Sequence, residues 1–287
     1  MRSVVAGRVS SPGQSVAGRV LSILAVFEKS LSPRSLTEIS QETGLALSTT
    51  HRLLAELEEW GALQRDDNGR YQIGLRLWEL GQHAGRQVRD IARPLLQDLY
   101  SLTHETVHIA VREHTEALYI DRVYGSRRVP QASRVGGRLP LHATAVGKVL
   151  LAHEESWLRE AVLAQPLESR TPKTHVDPVA LRIELDVIRA RGYALTADEV
   201  RLGSASIAVP IFQHDGSIGA ALGLVASADT ADGLERHLPA LRGIAHRIEN
   251  SVGPFPLRTL RPARGRRAEE LASTQRKVVG AGAKRGR

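Results

Sequence analysis

The sharpest chemical pattern in the chain is HETVHIAVREH, in which His104, Glu105 and His108 match HExxH and His114 falls where an extended zinc-peptidase motif has its third ligand. That chemistry requires a helix. Ligands four residues apart on a helix rise only about 6 Å and can share one ion, with the glutamate as general base. On a strand the same pair lies ~13 Å apart. Val107, Ile109 and Val111 alternate as strand residues do, and Val111 stands where the extended motif needs a turning glycine. The segment therefore reads as a strand, with a zinc metallopeptidase as the alternative that metal content would reveal.

Other catalytic patterns are missing. There is no GxSxG elbow, and Ser204 and Ser206 fall at the predicted start of a strand with no base close by in sequence. GGRLPLHATAVGK lacks the phosphate-loop pattern because Lys148 is followed by Val149 rather than Ser or Thr. The chain has no cysteine, which removes disulfides, zinc-thiolate clusters and thiol nucleophiles and points to a reducing cytoplasm. No enzyme activity, metal or cofactor is expected.

A second group of residues suits a different task. STTHRLLAELEEWG places Ser48, Thr49, His51 and Arg52 in the first turns of a helix whose Leu53, Leu54 and Leu57 have core spacing. A helix fits the major groove, where arginine can pair bidentately with guanine and a threonine methyl can touch thymine. Thr50 beside them, and Ser35 and Thr37 at the start of the preceding helix, complete the expected DNA-facing set. The elements that position it are legible too. Ser35 and Glu38 form a capping-box pattern opening SLTEISQETG, Leu36 and Ile39 supply its buried stripe, and Gly44 suits the positive φ of a helix stop. A hairpin follows in ALQRDDNGRYQIG, with Asn68-Gly69 at a tight turn and Arg65 and Arg70 flanking the tip. Three helices and a hairpin make a winged helix-turn-helix.

Length and charge set the frame around these motifs. The 287 residues are enough for two domains, and 42% hydrophobic with 24% charged residues is a globular composition. The formal charge of +8 is all in the tail: Arg258 to Arg287 holds ten basic and two acidic residues, leaving 29 of each sign before it. Residues 1 to 71 carry eight of each, so no domain-wide basic footprint accompanies the helix-turn-helix and local placement must supply the field. The tail, residues 253–287, reads as disordered, with a sequence-blind attraction to polyanions or a merely solubilising role. VLSILAVF, Val20 to Phe27, follows Arg2, Arg8 and Arg19 like the core of a signal peptide, but no small-x-small cleavage site follows it. Val16, Val20, Ile23, Leu24 and Phe27 fall on one face of an amphipathic helix instead, and no run approaches a membrane span. The expected partners include no membrane.

The second half mixes strands and helices. ETVHIAV, EALYIDRV, SIAVPIF and SIGAALGLVAS alternate as strands, the last two around an Asp215-Gly216 turn, and helices are expected over 142–153, 155–164, 177–191 and 231–250. Leu75 to Arg89 reads as a helix with Leu75, Trp78 and Leu77 as apolar contacts, ending before Pro94. The domain plan is an arm (1–14), a winged helix-turn-helix (15–74), a linker helix (75–92), an α+β domain (93–252) and the basic tail (253–287).

LTEISQETGLALSTTHRLLAELEEWGAL with YQIGLRLWELG resembles the DNA-binding half of the IclR family of bacterial transcriptional regulators. RPLLQDLYSLTHETVHIAV, GGRLPLHATAVGKVLLA, RGYALTADE and IAVPIFQHDGSIGAALGL resemble its effector-binding half in order and spacing. The resemblance implies a GAF-like α+β domain with an antiparallel sheet and a pocket on one side for a small organic acid. It also implies a double-stranded DNA operator as partner and a homo-oligomer, a dimer or dimer of dimers. Carried onto this chain, the pocket would take Leu139, Leu141, Ala145 and Val146 on one wall and Thr196, Ser206, Gly223 and Val225 opposite. A well-known member type has Asp at Thr196, Cys at Ser206 and two serines at Gly223 and Val225. Those departures remove a charge and hydrogen-bonding groups, which suits a larger or more apolar acid, aromatic or branched, with Gly223 making room. A ligand-binding module without DNA function is the remaining alternative.

Overall fold

The computed structural model describes residues 15–28, 32–83, 86–125 and 134–252, apart from the side chains of 82, 83, 86, 87 and 252. The expected arm and basic tail lie outside the described residues. The chain divides into two compact units between Ala84 and Gly85.

The first unit contains α1 (Val16–Val26), α2 (Leu36–Thr43), α3 (Leu47–Glu59), β1 (Leu63–Arg65), β2 (Tyr71–Ile73) and α4 (Leu75–His83). Ile23, Val26, Phe27, Ile39, Leu53, Leu54 and Leu57 close its core, joined by Tyr71 from the hairpin. Val16, expected on the buried face of α1, is exposed. The capping box at α2 forms in full: Ser35 Oγ accepts from the Glu38 amide at 3.3 Å while Glu38 Oε2 accepts from the Ser35 amide at 2.7 Å. Gly44 ends α2 with φ 68°. The hairpin tip departs from a two-residue Asn-Gly turn. Asp66 N–H donates to Arg70 O and Gly69 N–H to Asp66 O, so three residues span the tip and Gly69 alone takes positive φ. Asp66 Oδ1 explains the change, because it accepts from the Asn68 and Arg70 amides and wraps the turn around its own carboxylate.

The expected single linker helix is shared between the units. Residues 84 and 85 lie outside the described residues, and α5 (Arg86–Thr103) runs through Pro94 instead of stopping before it. An interior proline costs about 3 kcal/mol. Packing offsets that cost: Val88, Ala92, Leu95, Leu96 and Leu99 form one buried stripe that continues across Pro94. On α4, Leu77 packs against the first unit's core, but Leu75 and Trp78, expected as contacts, are 69% and 61% exposed.

The second unit is an α+β, GAF-like domain built on a six-stranded sheet. After α5 come β3 (Thr106–Glu113), β4 (Glu116–Val123), β5 (Arg138–Pro140), a 3-10 turn over Leu141–Ala143, α6 (Ala145–His153), α7 (Ser156–Leu163), α8 (Pro178–Arg191), β6 (Ala194–Ala197), β7 (Ser204–Phe212), β8 (Ile218–Ser227), a 3-10 segment over Ala228–His237 and α9 (Leu238–Val252). The strands pair antiparallel in the order β5-β4-β3-β8-β7-β6. The short edge strands β5 and β6 give too few residues for an alternation signal and are visible only through their partners. One face carries Val107, Ile109, Val111, Ile207, Val209, Leu222 and Leu224 against α5 and α9. The other carries Ala110, Ala194, Ala208 and Ala221 against α6 and α8. Small residues there let the helix approach closely.

Removing the α2 cap tests the first unit's local logic. Ser35→Ala in the full chain should cost about 1 kcal/mol, read as a lower unfolding midpoint of the first transition in urea.

Candidate functional site

In the first unit α3 presents its two faces as its sequence requires. Leu53, Leu54 and Leu57 are buried, while Ser48, His51 and Arg52 are exposed and Thr49 is half-buried. Thr50 corrects the expected set. It is fully buried and its hydroxyl donates to Ala46 O at 3.1 Å, so it anchors the helix start and offers no surface to a ligand. Thr37 is exposed, whereas the Ser35 hydroxyl is committed to Glu38. Each expected arginine is tied to a glutamate: Arg52 to Glu56 at 2.6 Å, Arg65 to Glu58 at 3.0 Å and Arg70 to Glu38 at 3.3 Å. The Arg65 guanidinium also lies 4.7 Å from the Tyr71 ring centroid. This local compensation is how the unit reaches neutrality. Exposed pairs are worth only about 0–1 kcal/mol each, so a phosphate or base edge can take their place.

In the second unit the expected pocket residues come together on the face covered by α6. Thr196, Ser206 and Val225 stand side by side across β6, β7 and β8, and Thr106 of β3 completes the row. Ser204 and Ser206 lie at the start of β7, whose pairing begins at Ser204. The next row is Ala194, Ala208, Gly223, His108 and Arg122. Leu139, Leu141, Ala145 and Val146 are buried in the core on that same face. Thr144 caps α6 by accepting from the Gly147 amide at 3.0 Å, and the amides of Ala145 and Val146 have no acceptor within the helix.

Gly223 does not leave open room. A Cβ there would lie 2.7 Å from His108 Nε2 and 2.9 Å from Val146 Cγ1, so the imidazole and the α6 side chain occupy the space that the missing side chain vacates. The peptidase-like motif is accounted for by the same geometry. His104 follows α5 with φ 56°, His108 is in mid-strand, and His114 is in the β3–β4 turn with φ 56°. The helix that would bring the two histidines to one ion is not formed. His108, Arg122 and Thr106 escaped the sequence reading of the pocket, although alternation with Val107 and Ile109 already put His108 on the opposite face from them.

Lys148, in the PLHATAVGK segment, is fully buried. Its ammonium donates to Glu199 at 2.7 and 2.9 Å and to Glu184 of α8 at 2.6 Å. Burial alone would raise the Glu184 pKa, but the Lys148 charge and hydrogen bonds from Lys148 and His175 hold it below its ordinary 4.5. His175, Glu184 and Glu199 bring ligand-type atoms together, but the lysine ammonium already supplies the positive charge there. The motif lysine is thus a clamp joining α6, α8 and the segment after β6.

The family models decide the identity. Residues 16–67 match the IclR helix-turn-helix domain and residues 83–250 match the bacterial transcriptional regulator IclR C-terminal domain. The chain belongs to the IclR family. Among relatives, the HTH-type transcriptional regulator XynR of Escherichia coli is 36% identical over 225 residues, 76% of this chain and 88% of that protein. The E. coli HTH-type transcriptional repressor AllR is 35% identical over 222 residues, 75% of this chain and 81% of that protein. A solved IclR homologue from Microbacterium hydrocarbonoxydans, complexed with 4-hydroxybenzoate, superposes with a TM-score of 0.78 at 33% identity, covering 83% of this chain and 99% of that one. Winged helix-turn-helix and α+β sensor architecture are therefore family features, and IclR proteins are DNA-binding transcriptional regulators. Among the described residues, no helix is long and apolar enough to cross a membrane.

Lys148→Met should lower the stability of the second unit at pH 7 by about 3–5 kcal/mol, because it leaves the Glu199 carboxylate buried without its cation. Glu184 has a depressed pKa, so its share of the stabilisation is present above 4.5 and is lost as pH falls through the folded value. The gap between wild type and variant in urea melts should therefore narrow below pH 4.5.

Proposed function

We propose that this chain is an operator-binding regulator whose DNA affinity is set by a small organic acid held in the second unit, governing a catabolic operon. The observation that carries this reading is α3, with Ser48, His51 and Arg52 outward at its start while its leucines are buried behind. Arg52, Thr49, Arg65, Arg70 and Thr37 complete the proposed contact set, Arg52 toward a base and the wing arginines toward phosphates. No catalytic step, metal or cofactor enters, and the site of action is the cytoplasm.

A palindromic operator presents half-sites about 34 Å apart, which a second copy of the chain would match. Exposed Leu75, Trp78 and Leu80 on α4, with Val16 and Leu21 on α1, support homodimer formation, and a dimer of dimers follows the family pattern. For the effector, Thr196, Ser206 and the first-turn amides of α6 are the proposed polar contacts, with Leu139, Leu141, Ala145, Val146, Gly223 and Val225 as walls. The loss of a carboxylate at Thr196 and of two serine hydroxyls at Gly223 and Val225 relative to that member type, and the 4-hydroxybenzoate in the solved homologue, support an aromatic or branched acid.

In mobility shifts on the promoter selected by the protein from its own genome, Arg52→Ala should weaken operator binding by about 1–3 kcal/mol and relax preference at one base position. Arg258→Ala in the basic tail should weaken all DNA equally and slightly. Equal, sequence-independent losses would contradict direct readout. In thermal-shift screening, aromatic acids should stabilise the protein more than glyoxylate or pyruvate, and the reverse order would refute the proposed effector class.

A further inference from the structure

His108 is a polar side chain in a place that the fold could have filled with a hydrocarbon. It is 2% exposed, in the middle of β3, and its Nδ1 has no hydrogen-bond partner among the described residues. Native cores match nearly all such atoms, so an unmatched imidazole nitrogen beside a helix start calls for an account. Its surroundings define what that is. Arg122 lies opposite on β4 and is 7% exposed, which puts a guanidinium charge beside the ring. Across β8, Gly223 lets the ring approach Val146 in the first turn of α6, where free amides favour anions. Burial first, and the Arg122 charge second, push the His108 pKa down to about 3. The ring is therefore neutral near pH 7, with one nitrogen able to donate and the other to accept. The Tyr119 ring, centred 5.1 Å away, and Val146 form the apolar side of the same corner.

We propose that His108 is a ligand-recognising residue of the pocket, donating from Nδ1 to the carboxylate of an aromatic or branched organic acid whose charge is balanced by Arg122 and the α6 amides. The inference rests on the pocket reading given above and adds the group that selects an anion over its uncharged analogue. Gly223 then serves specificity by admitting the imidazole rather than by enlarging the cavity.

The test uses the full chain and four probes: benzoate, 4-hydroxybenzoate and their uncharged amides benzamide and 4-hydroxybenzamide. In calorimetric titration the acids should bind at least about tenfold more tightly than the amides, since a hydrogen bond from a buried group to a charge exceeds that ratio. His108→Phe keeps the ring shape without nitrogen and should lose at least about tenfold in acid affinity. His108→Asn places an amide N–H near the Nδ1 position and should lose less. With 15N-histidine labelling, saturating acid should shift the His108 Nδ1 resonance and amide probes should not. Acid binding by His108→Phe as tight as wild type, equal binding of acids and amides, or no acid binding at all would each overturn the assignment. If His108→Phe shows no cooperative unfolding, the asparagine variant and the wild-type spectrum decide. An operator mobility shift run in parallel separates the two claims: operator binding without acid binding sinks His108 alone, and acid binding without operator binding sinks the regulator reading.

Discussion

Burial of both faces of the six-stranded sheet is the constraint on which the second unit depends. An antiparallel sheet with one wet face can leave polar side chains to water, but here α5 and α9 cover one side and α6 and α8 the other. Each polar group on a central strand must therefore meet a protein partner or a bound one. On the α5 side Asp121 meets this demand through Oδ1 alone, which accepts from Arg93 and from the Arg122 amide at 2.7 Å each, while Oδ2 has no hydrogen-bond partner among the described residues. On the α6 side the polar residues gather in two adjacent rows, Thr196 to Thr106 and Ala194 to Arg122. These two rows, set against the start of α6, are the ground for the proposed effector site.

The Lys148 clamp shows the same rule at higher stakes. Removing an ammonium from water is expensive, and two glutamates with short, direct hydrogen bonds offset the cost only while all three groups hold their places. That demand fixes α6 against α8 and against the segment after β6, so the first turn of α6 meets the pocket at a set height. Rigidity of this kind is what lets amides act as a recognition surface, since a helix start that could slide would lose the geometry that favours an anion.

Periodicity made the long elements legible from residues alone. β3, β4, β7 and β8 each contain enough alternation to declare themselves, and α2 announced its cap through Ser35 and Glu38. What stayed hidden depended on contacts between distant segments. β6 exists because Thr196 pairs with Ser206, and α5 passes Pro94 because its stripe meets the sheet. Thr50 looked like one more hydroxyl in a polar helix start, yet it lies three, four and seven residues before Leu53, Leu54 and Leu57, so the period that buries the leucines turns it inward as well. His108 was misleading in the opposite way. Its spacing from His104 suggested a metal, whereas its strand register sets it beside Gly223 and Arg122.

Register also ties the two faces of the sheet together. Asp121 and Arg122 are consecutive on β4 and, by alternation, serve opposite faces of the sheet. Arg122 stands beside His108 in the pocket row, and Asp121 holds Arg93 of α5. The bulge between Ile109 and Ala110, where β4 carries an extra residue, sits next to both. An anion seated near Arg122, as proposed, would lie one peptide unit from the Asp121–Arg93 ion pair to α5, the helix that begins at Arg86. Whether such a ligand shifts the molecule depends on its binding one setting of that ion pair more tightly than another.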